Sequence, residues 1–300
     1  MLELQEYPVL FRESDSCAIH SQREYFRLLK IKICLLLVTA AVASFSWNQE
    51  PSVRIPAAVV TAMILTVLMA LSAIGDMKKF DRIWFGSRAI AESVKKESWV
   101  FMMKGKPYDN TVTDSVAEQV FLNRLKQIFQ SQSSICSELA SYSNEGDQIT
   151  EHMKQMMRKP IVDRLTYYAK NRIHDQRLWY AKKANWNRTR ESRWFIVTWI
   201  LQVVAVILAF IIIGFKNLVA NPVGILTTAG AGVLSWMTAR SYRELSQSYG
   251  LIAQELSFLE ERGEHVSTEE ELSDIVLEVE QTISREHTIW LTKRLEMPKP

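Results

Sequence analysis

Four stretches of this chain carry almost no charge, and they limit its fold more than any other feature. The first, 31–47, reads IKICLLLVTAAVASFSW; the second, 55–75, holds no charged residue. The third, 194–215, has Gln202 as its one strongly polar member, and the fourth, 222–239, is rich in Gly, Ala and Thr. As helices, runs of this size are about 25–33 Å long, close to the ~30 Å hydrocarbon thickness of a bilayer. A backbone in lipid must satisfy its own hydrogen bonds, so helix is the expected form. The alternative for any one run is a buried core helix. The expectation is therefore an all-α integral membrane protein with four transmembrane helices.

Connection lengths arrange these helices in pairs. Residues 48–54 join the first two runs and 216–221 the last two, so each pair is an antiparallel hairpin. Lys32 stands at the mouth of the first run, where its long stem can reach the headgroups. Pro56 is expected in the first turn of the second helix, where a missing N–H costs little. Trp47, Trp194 and Trp236 lie near span ends, where interfacial aromatics are enriched. Basic residues set the orientation. Arg23, Arg27 and Lys30 precede the first span, and Lys78, Lys79, Arg82 and Arg88 follow the second. Lys182, Lys183, Arg188, Arg190 and Arg193 precede the third, and Arg240 and Arg243 follow the fourth. The tips carry only Arg54 and Lys216. By the positive-inside rule both termini and the middle region are cytoplasmic. The N-terminus lacks the short basic region of a cleaved signal peptide.

The plan of leading helix, hairpin and trailing helix occurs twice. Residues 1–140 form one two-transmembrane unit, 141–154 a polar linker, and 155–300 the second unit. Between the spans the charge density is high and the apolar residues follow helical periods. Ile83, Ile90, Ala91 and Val94 give one face ahead of Gly105. A helix is expected from Ser115, capped with Glu118, to about Ile135. Tyr168, Arg172, Trp179 and Tyr180 lie on a helix that no Gly or Pro interrupts between Ile161 and Phe215. Tyr242, Tyr249, Ile252, Leu256 and Leu259 make a stripe ending at Gly263. A Thr268–Glu271 capping box starts the last helix, whose stripe is Leu272, Ile275, Val276, Val279, Ile283 and Trp290.

Chemistry of the catalytic kind is not signalled. There is no GxxxxGK[ST], GxGxxG, HExxH or GxSxG, the five histidines are scattered, and the three cysteines form no CxxC pair. An enzyme, a catalytic residue set, a metal and a cofactor are all unexpected. A net charge of +3 is too small to suggest a nucleic-acid polymer as partner. The spans hold no Asp, Glu, Arg or His away from their ends, which argues against ion-coupled transport. Ala58, Ala62, Thr66 and Ala70 recur at four-residue steps in the second span. Gly224, Thr228, Gly232 and Ser235 do so, or nearly so, in the fourth. Such faces either pack helices closely or line a pore. Gln202 either links helices or faces an aqueous path. Residues 159–193 carry ten Lys/Arg against three Asp/Glu. That excess is either a site for an anionic second messenger or lipid, with Tyr167, Trp179 and Trp186 as stacking platforms, or the positive-inside signal itself.

The segment YYAKNRIHDQRLWYAKKANWNRTRESRW, through Tyr168, Arg172, Gln176, Trp179, Tyr180 and Ala184, resembles the bacterial SLATT domains, the SMODS- and SLOG-associating two-transmembrane effectors. Tyr242, Leu256, Glu280, Glu286, His287 and Trp290 continue the similarity. The N-terminal half is similar to another SLATT subtype through Trp84, Arg88, Ala89, Glu92, Lys95 and Trp99. The resemblance implies a role in bacterial conflict systems, beside second-messenger synthases or sensors, as a pore that opens to kill or arrest the infected cell. It places the chain in the bacterial inner membrane as an antiviral defence effector, with a nucleotide second messenger or a sensor protein as trigger. A four-helix subunit offers no pore of its own, so a homo-oligomer is expected. The competing expectation is a non-conducting membrane scaffold that recruits a soluble cytoplasmic partner.

Overall fold

The computed structural model describes residues 3–46, 49–142, 145–214 and 221–295, without the side chains of Ser134, Cys136 and 286–295. Trp47, Phe215, Lys216 and the side chains of Glu286, His287 and Trp290 therefore lie outside the described residues. Every regular element among them is helical. The helices are α1 (Val9–Phe45), α2 (Pro51–Lys78), α3 (Phe80–Met102), α4 (Asp114–Ser131), the one-turn α5 (Cys136–Leu139), α6 (Glu151–Met157), α7 (Ile161–Tyr168), α8 (Asp175–Gly214), α9 (Val223–Arg240), α10 (Tyr242–Gly263) and α11 (Glu269–Leu295). A six-residue π-helix, Ala169–His174, joins α7 to α8 without a break. By length and composition three helical stretches can cross a membrane: Val9–Phe45, Pro51–Met102 and Ile161–Gly214. The fourth expected span is also a helix, α9, but its Gly and Thr content and the terminal Arg240 keep it outside that set.

The chain divides into two compact units that interleave along the sequence. The first comprises 1–22, 81–184 and 247–300; the second comprises 23–80 and 185–246. The first unit has a conventional core. Val94, Phe101, Met103, Phe121, Leu256, Leu272, Val276 and Val279 are fully buried in it. Each such large side chain removed from water contributes about 1.5–3 kcal/mol. The stripes expected on α10 and α11 thus face inward from Ile252 to Leu259 and from Leu272 to Ile283.

The second unit is built differently. Not one residue of α2 is buried, and Ile55, Val59, Met63, Met69, Phe195, Ile207 and Phe210 are all exposed. A soluble protein does not present apolar surface on this scale; lipid is the solvent these helices suit. Both hairpins leave through the same joint. Lys79 (φ 48°) follows α2 and Ser241 (φ 49°) follows α9, each in the left-handed region, and each amide returns to a carbonyl of the last turn, Gly75 and Met237. Neither residue is glycine, so each joint costs roughly 1–2 kcal/mol. The repeat in plan is thus also a repeat in backbone.

Four local expectations are corrected. The α2 helix starts at Pro51, with proline at its first turn, so Pro56 lies inside the helix. The cap of α4 is Thr113, whose hydroxyl accepts the Val116 amide at 3.4 Å, and not Ser115. Glu118 reaches Lys154 instead of a capping partner. The α4 helix stops at Ser131, and Ile135 sits on a separate 3-10 turn. Residues 147–150 of the polar linker bond to the start of the chain. Asp147 and Gln148 accept the Val9 and Leu10 amides at 3.1 and 3.2 Å, and the Thr150 hydroxyl donates to the Glu6 carbonyl at 2.8 Å. Those are the orphan amides of the α1 N-terminus, so this stretch caps α1 from a distance. The Thr268–Glu271 capping box forms as expected, with reciprocal bonds of 3.3 and 3.0 Å.

Candidate functional site

The expected motif residues of both halves meet in the core of the first unit. Arg172 and Glu280 form a fork-to-fork ion pair, Nε to Oε1 at 2.7 Å and the terminal nitrogen to Oε2 at 2.6 Å. Arg172 is 2 % exposed and Glu280 not at all. Tyr168 Oη donates to the same carboxylate at 3.1 Å. Tyr168 closes α7 and Arg172 lies on the π-helix, four residues apart, a spacing that puts both side chains on one face toward one acceptor. The Arg172 guanidinium stands 5.7 Å from the centre of the Trp99 ring, and Trp99 Nε1 donates to Tyr7 Oη at 3.2 Å. Trp99 and Tyr168 are also edge to face, 5.6 Å apart. Residues from 7 to 280 thus share one buried polar cluster.

The electrostatics follow from burial. Burial works to lower the Arg172 pKa, but the charge and hydrogen bonds of Glu280 outweigh it and hold the guanidinium above its ordinary value. Burial pushes the Tyr7 and Tyr168 hydroxyls well up, so both remain neutral. Lys95 lies 5.9 Å above the Tyr7 ring and 5.8 Å above Phe11. Burial lowers its pKa, opposed by the charge of Glu92. Glu97 accepts both the Tyr108 hydroxyl and Arg124, the latter at 3.0 Å. Such clusters tie elements together by saturating each other's hydrogen bonds.

Other motif positions lie elsewhere in the first unit. Arg88 reaches Asp15 at 3.4 Å and Glu92 at 2.6 Å, and Trp84 stacks on Phe85. Gln176 is buried, and Trp179 and Tyr180 pack on Tyr249 at 5.6 and 5.3 Å. Tyr242 belongs to the other unit and packs on Trp186. The basic stretch 159–193 is partly neutralised from within. Arg164 holds the Met103 carbonyl and Glu269, and Glu260 takes both His174 at 2.7 Å and Arg177 at 2.5 Å. Tyr7 is the member the sequence did not mark, since it precedes the helical pattern. The π-helix was equally unmarked.

In the second unit α9 runs antiparallel to α1. The Ser44 hydroxyl donates to the Asn221 carbonyl at 2.5 Å, and the Asn221 amide returns to the Ser44 carbonyl at 3.2 Å. A Cβ on Gly232 would meet Ile33 at 2.9 Å, and Phe26 meets Trp236 edge to face at 5.5 Å. Moving from 44 to 33 on α1 matches 221 to 232 on α9, so the register holds along the span. Gly232 is therefore a packing position. Gly224, Ala62, Thr66, Gln202 and Ser235 are exposed, and Gly224 has no neighbour within 4 Å of an added Cβ. Thr66 and Thr228 turn their hydroxyls back to Ala62 and Gly224 of their own helices, at 2.9 and 2.8 Å. Among the described residues no group of His, Cys, Asp and Glu could hold a metal.

Two family models match the chain. The model described as SMODS and SLOG-associating 2TM effector domain 3 covers residues 8–165, and that of SMODS and SLOG-associating 2TM effector domain 1 covers residues 168–290. No curated protein and no solved structure matches it.

Proposed function

The chain belongs to the SLATT family, with a type 3 domain followed by a type 1 domain, and on that premise we propose that it is a pore-forming membrane effector. Its subunits assemble in the bacterial inner membrane with both termini cytoplasmic. A nucleotide second messenger or a sensor protein opens the pore and depolarises the cell in antiviral defence. The supporting observation is the uncovered α2 helix, free of charge from Ile55 to Gly75 and with no buried residue. Its small face at Ala62 and Thr66 meets nothing within the chain that buries it, which suits a neighbouring subunit or a pore lumen. The register of α9 along α1 favours α9 as a fourth span, because a helix paired through Ser44, Ile33 and Phe26 shares the depth of its partner. The test is induced expression in bacteria with a membrane-potential dye. Collapse of the potential as the inserted protein accumulates is the expected result. A full potential at high inserted levels, with or without trigger, contradicts it.

A further inference from the structure

A cation–aromatic cluster joins α1 to α9. It lies in the second unit, where α1 enters its apolar run and α9 leaves its own. Arg240 stands with its guanidinium carbon 3.8 Å from the centre of the Phe26 ring and 4.9 Å from that of Trp236. The ammonium of Lys30 stands 5.5 Å from the same Trp236 ring. Phe26 is 6 % exposed and the two rings brace each other edge to face, so the platform is fixed. Two cations thus share one indole. Among the described residues neither makes an ion pair, and Arg240 Nε is buried without a hydrogen-bond partner. The C-terminus of α9 supplies at most about half a negative charge, too little to balance both. Lys30 immediately precedes the run 31–47 and Arg240 immediately follows 222–239. That is the depth at which lipid phosphates lie.

We propose that Arg240 and Lys30, mounted on Phe26 and Trp236, form a binding site for a phosphate ester, the headgroup of an anionic phospholipid. The planar fork of Arg240 suits two phosphate oxygens, and Lys30 adds a second charge. The aromatic faces stabilise the cations while the site is empty and hold the guanidinium in place for its ligand. The ligand completes the contact between α1 and α9 and so stabilises the hairpin packing. This inference rests on the reading that both runs lie in the bilayer.

The experiment is native mass spectrometry of the full chain, purified in a neutral detergent. It is titrated with phosphatidylglycerol, with a phosphate-free diacyl glycolipid, and with soluble glycerol phosphate. The expected result is preferential binding of phosphatidylglycerol over the glycolipid. The Lys30→Gln, Arg240→Gln variant should lose that preference by roughly 25-fold, about fivefold per basic residue. Arg240→Lys, which keeps the charge and is gentler on the fold, should fall between. Binding of glycerol phosphate as tight as the lipid's assigns the same site to soluble phosphate esters. Equal binding of phospholipid and glycolipid by the wild type overturns the proposal, as does an undiminished preference in variants of unchanged helicity. The membrane reading is judged separately in the same preparation: a chain that stays in solution without detergent refutes that reading, whatever the variants do.

Discussion

Replacing Glu280 by glutamine strips the charge from the centre of the first unit while keeping the shape of the side chain. Arg172 is then a guanidinium at 2 % exposure with no counter-charge. Breaking a buried pair from one side costs about 3–5 kcal/mol. For a domain of this size each kcal/mol moves the melting temperature by about 2–4 °C, so the expected loss is roughly 6–20 °C. Removing both partners is different. Arg172→Met with Glu280→Leu exchanges the desolvation of two charges for apolar packing, which ranges from neutral to about 1–4 kcal/mol stabilising. It also orphans the Tyr168 hydroxyl, now bonded to Glu280 at 3.1 Å, at a cost of about 1–3 kcal/mol. The two effects nearly cancel. Adding Tyr168→Phe removes the orphan and leaves the triple variant at least as stable as the wild type. The assay is thermal unfolding of the full chain in detergent, at one scan rate, followed by near-ultraviolet dichroism, since Trp99 sits within the cluster. If Glu280→Gln melts within about 2 °C of wild type, or the triple variant is as damaged as the single, the pair does not hold the core as argued.

Three further outcomes are expected. Lys95 carries a pKa lowered by burial, so the folded state binds its proton less readily than the unfolded chain. Its charge therefore costs stability at low pH, and stability rises as pH climbs from the lowered pKa towards the ordinary lysine value of about 10.4. Lys95→Met should stabilise the chain at neutral pH, with a gain that shrinks towards that limit in a pH series of melts. Thr113→Ala should cost about 1 kcal/mol through the lost cap, whereas Ser115→Ala should cost a few tenths at most, as read by thermal or denaturant unfolding. Gly232→Leu collides with Ile33 and should disrupt the α1–α9 contact, measured as lost thermal stability in detergent. At Gly224 an added Cβ meets nothing within 4 Å, so Gly224→Leu should leave that stability unchanged. If the exposed face of α9 lines a pore, Gly224→Leu alone should reduce dye-reported depolarisation.

Much of the architecture is legible in the sequence because long apolar runs with almost no charge favour helices. The described residues of the runs that begin at Ile31, Ile55 and Trp194 show this. The capping box at Thr268 and the stripe from Leu272 to Ile283 are equally direct, since each depends on neighbours within a turn or two. What the sequence does not announce depends on distant partners. Thr113 outcompetes Ser115 because the chain enters α4 two residues earlier than the capping pattern suggests. Within the polar linker, Asp147 and Gln148 satisfy amides at the start of α1, more than a hundred residues away in sequence. Arg172 and Glu280 are marked by family likeness, but only the fold shows that they face each other, with Trp99 and the unmarked Tyr7 beside them. Four-residue spacing also fails to separate the packing role of Gly232 from the open position of Gly224, because that depends on where α1 lies.

The proposed topology has two hairpins crossing the bilayer, with their tips on one side and the charged helices on the other. It is tested most directly by labelling single cysteines, placed in a chain whose three native cysteines are replaced, with a membrane-impermeant maleimide on intact spheroplasts. Cysteines at Glu50 and Asn221 should react from outside, and one at Ser267 only after permeabilisation. Labelling at Ser267 in intact spheroplasts, or protection at Asn221 with reaction at Glu50, contradicts the account.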